Sequence, residues 1–343
     1  MIPFGLLILG IALLYFGGEN LVRSSVVLAD RFGMSELVIG LTLVAFGTSS
    51  PELFVSVLAA FRGQGAVSLG NILGSNIINI ALILAASAVV AAIPMAKGIR
   101  KRELPLILLS YCAAALLLPA TSVGRGATRL VGLFLLSLLA CYILYQYRLG
   151  TQGSRSMSVA SQASAVGGAR PEAHSHQGDS QPGPSHQGDH QPGVLKPILT
   201  VIVAVAALAG GGHVLVENAS FLAREVFGVS ERFIGLTIVA IGTSAPELAT
   251  SIVAAARGRS HVVLGTIIGS NVFNTLMVLG VAALSGGFGK LEPGFGIDFA
   301  IMVLVTLVLW GFAWRGRLSR WGGLSFLAFY ALYVAFLMQT KGA

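Results

Sequence analysis

The chain is written in long apolar blocks. They fall at about 2–22, 36–61, 67–93, 104–121 and 128–147, and again at about 197–217, 231–256, 262–285, 297–314 and 322–338. Most approach or exceed the roughly 18–20 residues that carry a helix across a bilayer. The pattern predicts an all-α polytopic membrane protein with ten transmembrane helices, five on each side of one polar interruption. That interruption, Gly150 to Gly193, is rich in Ser, Gln, Gly, His and Pro and carries an internal echo, SHQGDSQPGP followed by SHQGDHQPG. Such a composition cannot bury enough apolar surface to offset chain entropy. Residues 150–194 are therefore expected to form a disordered linker between a first five-helix repeat, 1–149, and a second, 195–343.

An odd number of crossings in each half turns the second half upside down relative to the first. That is the inverted-repeat plan of many secondary transporters, with the binding site near the midplane. The halves are also related in sequence. Gly40 to Asn79 recurs at Gly235 to Asn274, shifted by 195 residues, and roughly 29 of the 52 positions from Gly33 to Leu84 are identical without a gap.

Composition supports this class. Of 343 residues, 55% are hydrophobic and 10% charged, and the mean hydropathy is +0.83. A soluble protein carries about a quarter charged residues, and no stretch here is long enough to bury a separate soluble core. Ile2 to Phe16 has no basic residue before it and no small-residue cleavage site, so it is expected to be the first membrane helix, not a removed signal. Cys112 and Cys141 lie in separate apolar runs and give no disulfide or metal signal.

The net charge of +8 reads as loop composition and calls for no nucleic-acid partner. With the N-terminus outside, 15 of the 22 Lys and Arg fall in loops on the cytoplasmic side. The positive-inside rule then places both termini outside and the linker in the cytoplasm of a multi-pass protein of the cell membrane.

Chemistry concentrates in the repeated stretch. GTSSPEL (Gly47 to Leu53) and GTSAPEL (Gly242 to Leu248) put a glutamate directly after a helix-breaking proline. Pro51 and Pro246 have no N–H, so the carbonyls of Gly47 and Gly242 lose their helical partners. Deep in a bilayer only protein, water or an ion can satisfy them. Thr48 and Glu52 are four apart on the helix and Ser49 and Glu52 three apart, so they share a face and are expected to form a cluster of carboxylate, hydroxyl and carbonyl oxygens.

The companion motifs, GSNIIN (Gly74 to Asn79) and GSNVFN (Gly269 to Asn274), place Ser75 with Asn79 and Ser270 with Asn274 on one face. Glycine and serine serve helix packing in many membrane proteins. Packing does not account for Glu52 and Glu247, because an intramembrane carboxylate is expensive. Oxygen ligands without Cys or His suit hard cations: calcium, sodium or magnesium.

GTSxPE followed by GSNxxN, once in each half, resembles the sodium/calcium exchanger branch of the cation/calcium exchanger superfamily, in its prokaryotic form. The resemblance covers both halves. It implies an inverted ten-helix bundle that trades sodium for calcium, with no cofactor besides the transported ions and no enzymatic activity. Carried over by position, it places calcium on Glu52 and Glu247 with the carbonyls of Thr48 and Thr243. Sodium falls to Ser49, Ser244, Ser75, Ser270, Asn79 and Asn274, to the carbonyls of Ala45 and Ala240, and to the same two glutamates. Several relatives carry aspartate where this chain has Asn274, which removes a possible third carboxylate.

Competition at one site would couple the fluxes, since a charge of −2 suits one Ca²⁺ or about two Na⁺. Alternating access by helices one and six is implied by the resemblance alone, and a monomer is expected. A proton-driven exchanger of the same superfamily is the first rival, because a desolvated carboxylate can carry a proton in place of a cation. A cation channel is the second, although channels usually build their filters from symmetric rings.

Other candidates have plainer readings. Ser35–Glu36 and Ser230–Glu231 are helix caps. His174, His176, His186 and His190 are solvated linker residues. Glu19 and Glu217 lie near helix ends, where ion entry is conceivable, and Asp298 is expected at the membrane interface.

Overall fold

The computed structural model describes residues 2–32, 34–166, 194–208, 210, 231–286, 288–289, 291 and 294–339. They form α1 (Ile2–Phe32), α2 (Leu37–Thr48), α3 (Ser50–Phe61), α4 (Gly65–Val90), α5 (Ile99–Val123), α6 (Arg125–Val166) and α7 (Leu195–Leu208). The chain continues as α8 (231–243), α9 (Ala245–Ala256), α10 (Ser260–Ser285), α11 (Phe295–Trp314) and α12 (Arg320–Gln339). Six of these helices are long and apolar enough to cross a membrane, and the bent pair α2–α3 makes a seventh.

The helix starts and stops repeat with the sequence. Ser35 caps α2 as expected, its Oγ accepting the N–H of Val38 at 3.3 Å. Gly63 ends α3 at φ +75° and Gly258 ends α9 at φ +70°, where a side chain would be strained. Around them Gln64 N–H reaches Ala59 O at 2.9 Å and Arg259 N–H reaches Ala254 O at 2.8 Å, closing the same hydrogen-bonded C-cap twice.

At the centre lie α4 and α10. In their most apolar stretches 83% and 89% of residues are buried, against 28–39% in the other four long helices. Glycine lets the two halves interlock there. A Cβ on Gly74 would sit 2.6 Å from Leu236 O, and one on Gly269 would sit 2.7 Å from Leu41 O, the same contact 195 residues apart. Close backbone approach through small residues is how helices pack where lipid removes the hydrophobic drive. Outward faces carry residues such as Phe54, Leu332 and Trp321, all strongly exposed and matched to lipid.

Connections from the two halves meet in two places. At one end β1 (Ile93–Pro94) pairs antiparallel with β2 (Arg317–Leu318), and Trp310 Nε1 donates to Arg100 O at 2.8 Å. At the other, Arg129 Nε donates to Leu284 O at 3.2 Å.

One expectation changes. The linker begins later than its composition suggested, because α6 runs on from the membrane segment to Val166. Extending an existing helix adds a hydrogen bond per residue without a new nucleus, which offsets the glycines and serines of 150–166. Residues 167–193, with all four linker histidines, lie outside the described residues, as do Glu217 and Ser230.

Asp298, in the first turn of its helix, is buried within the protein. It is 0% exposed, receives Arg232 Nε at 2.8 Å and Tyr333 OH at 3.0 Å, and so ties α8, α11 and α12 together. Burying the ion pair and adding a third donor satisfies a charge that the sequence position alone left at the surface. Glu103, 195 residues earlier, is also 0% exposed and accepts from Arg102 at 2.8 Å and from Gln146 at 2.9 Å.

Candidate cation site

The two proline-containing helices break one residue before the motif's apolar continuation. Ser49, at φ −80° and ψ 4°, separates α2 from α3, which diverge by 45°. Ser244, at φ −84° and ψ 6°, does the same between α8 and α9. Each proline then sits in the first turn of the new helix, where its missing N–H costs nothing. The glutamate follows in that same turn, near the positive end of the helix dipole.

Glu52 and Glu247 are both 0% exposed, and each is clothed by hydroxyls. Ser244 Oγ donates to Glu52 Oε1 at 2.9 Å, and Ser75 Oγ does so at 3.5 Å. In the mirrored cluster Ser49 Oγ donates to Glu247 Oε1 at 3.2 Å and Ser270 Oγ at 3.0 Å. The threonines complete the pattern: Thr243 Oγ1 lies 3.4 Å from Ser75 Oγ, and Thr48 Oγ1 lies 3.4 Å from Ser270 Oγ.

The break therefore redirects what helical spacing suggested. Thr48 and Ser49 do not serve the glutamate that follows them in sequence. They join Glu247, and Thr243 and Ser244 join Glu52. Each carboxylate draws on the opposite half's GTS and its own half's GSN serine.

What remains unpaired faces one chemistry. Glu52 Oε2 and Glu247 Oε2 have no hydrogen-bond partner among the described residues, and neither do Asn79 Oδ1 and Asn274 Oδ1. Buried acceptors without donors are costly, and a set of two carboxylate and two amide oxygens suits a dehydrated hard cation. Among the described residues no group of three or more His, Cys, Asp or Glu is positioned for a transition metal. The carbonyls of Ala45 and Ala240 already accept the N–H of Ser49 and Ser244, both at 3.0 Å. Asn79 and Asn274 each open a π-helical turn, Asn79–Leu84 and Asn274–Val278, a distortion common at functional sites.

Four asparagine and threonine side chains escaped the sequence reading. Asn71 Oδ1 accepts from Thr243 at 3.0 Å, Asn271 Oδ1 accepts from Asn79 at 2.8 Å, and Asn76 Nδ2 donates to Thr275 Oγ1 at 3.1 Å. The signal was available for Asn76 and Asn271, since GSN repeats in both halves.

The sequence model of the sodium/calcium exchanger protein family matches residues 2–148 and 196–339, leaving out the linker. The chain belongs to this family. The exchanger is 34% identical over 316 residues to the inner membrane protein YrbG of Escherichia coli, covering 92% of this chain and 90% of that one. It is 31% identical to the sodium/calcium exchanger MaX1 of Methanosarcina acetivorans, over 98% of both. The solved structure of the sodium-calcium exchanger NCX_Mj soaked with 100 mM Na⁺ and 10 mM Sr²⁺ superposes with a TM-score of 0.75 at 29% identity, over 97% of both chains. As a member of an exchanger family, the protein is a multi-pass membrane antiporter.

Proposed function

We infer that this exchanger trades sodium for calcium at the site between Glu52 and Glu247. The observation that carries the reading is the unpaired pair, Glu52 Oε2 and Glu247 Oε2, each backed by serines on its other oxygen. Two ionised carboxylates balance one Ca²⁺, with the carbonyls of Thr48 and Thr243 as neutral support. They equally balance two Na⁺, helped by Ser49, Ser244, Ser75, Ser270, Asn79 and Asn274. Both kinds of ion together would leave charge uncompensated in a low dielectric, which is costly. Competition of this sort makes the departure of one ion the condition for entry of the other.

The reciprocal clusters fit a ten-helix bundle of two inverted repeats with the site at their shared centre. Both termini outside and the linker in the cytoplasm agree with the distribution of Lys and Arg. Alternating access falls to the first helix of each repeat, α1 and α7. In support, α1 lies directly against α9, where Gly18 leaves room for the backbone of Ala249 and Thr250, a few residues past Glu247.

The hydroxyl-rich lining favours sodium over a proton as the coupling ion, because several neutral oxygens can replace part of a sodium hydration shell, whereas a carboxyl proton needs a single acceptor. Calcium-45 uptake into proteoliposomes tests the assignment. An outward sodium gradient should drive uptake severalfold above the gradient-free level. Uptake driven by a pH gradient without sodium would transfer the chain to the proton-coupled class.

A further inference from the structure

Behind the carboxylates, the duplicated asparagines do not behave as duplicates. Asn79 Nδ2 donates to Asn271 Oδ1 at 2.8 Å. Asn271 is itself fixed, since its Nδ2 donates to Tyr111 OH at 3.0 Å and to Asn76 O at 3.3 Å. All three side chains are at most 1% exposed. An amide whose nitrogen is anchored can turn its oxygen in only one direction, and Asn79 Oδ1 is left without a partner among the described residues.

The mirrored bond, from Asn274 Nδ2 to Asn76 Oδ1, is not made. Both of those atoms are buried without a partner among the described residues. The cause lies in two unlike positions. Asn76 Nδ2 is drawn to Thr275 Oγ1 at 3.1 Å and to Met302 Sδ at 3.5 Å. The residue matching Thr275 in the first half is Ile80, which offers Asn271 no such acceptor. The residue matching Tyr111 in the second half is Thr306, whose hydroxyl donates to Met302 O at 3.0 Å.

The geometry points to Asn271 and Tyr111 as positioning residues that hold the Asn79 carbonyl oxygen ready for sodium, while Thr275 withholds the same support from Asn274. The two halves thus present sodium with one preorganised amide and one that must be ordered on binding. This rests on the reading that Asn79 is a sodium ligand. Calcium, held by the glutamates and threonine carbonyls in that reading, does not depend on the amide.

Tyr111→Phe removes the hydroxyl acceptor and keeps the ring. Sodium-dependent calcium-45 efflux from proteoliposomes gives the half-saturating sodium concentration. Sodium-free exchange of calcium-45 for unlabelled calcium gives the corresponding calcium value. Half-saturating sodium is expected to rise about threefold or more, because an unheld side chain must be immobilised when the ion binds, and the calcium value to stay unchanged. A shift in both values, in neither, or in the maximal rate alone overturns the proposal.

Thr275→Val is the second variant. It releases Asn76 to accept from Asn274 and should lower half-saturating sodium; should Tyr111→Phe fail to fold, an unchanged sodium value here overturns the proposal by itself. Asn79→Ala separates the two claims. If it leaves half-saturating sodium unchanged, the ligand assignment of Asn79 fails. If it raises the value and Tyr111→Phe does not, only the positioning role fails.

Discussion

Ser244 donates to Glu52 across the boundary between the halves, and Ser49, 195 residues before it, donates to Glu247 in return. Neither repeat completes its own carboxylate. A change on one side of this exchange is therefore expected to be felt at the glutamate on the other.

Glu52→Gln and Glu247→Gln should each lower calcium transport by at least about tenfold, since each removes half of the countercharge for a divalent ion in low dielectric. Thermal melting of the purified variants should remain cooperative, because the serine donors keep an oxygen to bond. Calcium-45 uptake near the wild-type rate in either variant would refute the charge count.

Gly74→Ala and Gly269→Ala should be matched in effect. Each new methyl would meet the facing backbone carbonyl at under 3 Å, so α4 and α10 would have to part from α8 and α2. Overpacking of this kind costs about 1–3 kcal/mol. Unfolding temperatures in detergent that fall for one variant and not for the other would contradict the two-fold interlock.

Asp298→Asn should destabilise the protein strongly. It removes the carboxylate that Arg232 Nε meets at 2.8 Å, and breaking a buried pair costs about 3–5 kcal/mol. Replacing both partners by apolar residues, Arg232→Met with Asp298→Leu, should recover most of the loss. A double variant less stable than Asp298→Asn would show that the pair does more than neutralise itself.

Potassium should not be needed. With asparagine at both 79 and 274, the site offers two carboxylates and otherwise neutral oxygens, so a further cation would enter uncompensated. Sodium-driven calcium uptake at clamped membrane potential should stay the same within about twofold when choline replaces potassium, since a buried cation without countercharge is costly. A collapse without potassium would mean that another residue supplies the missing charge.

The duplication made the broken helices and their glutamates legible, because a proline followed by glutamate inside an apolar run has no packing explanation. Ser35 was legible as a cap for the same local reason. The pairing of Ser49 with Glu247 was not. Helical spacing speaks only of neighbours on one helix, and the 45° bend at Ser49 hands its hydroxyl to the other half. The burial of Asp298 and its pairing with Arg232 were not legible from its place at the start of a helix. Its counterpart Glu103 stands 195 residues earlier, and following the repeat beyond Leu84 would have marked both as buried. Tyr111 carried no signal, since an aromatic residue in an apolar run looks like any other.

The crossed serines also bear on how the protein is made. At about 5–20 residues per second, Ser244 leaves the ribosome roughly 10–40 s after Ser49. For that interval the first half sits in the bilayer with Glu52 lacking its shorter hydrogen bond. An exposed carboxylate at that depth is expensive, so the early repeat is the vulnerable stage of biogenesis. Nascent chains stalled before Ser244 should be the ones that membrane proteases remove.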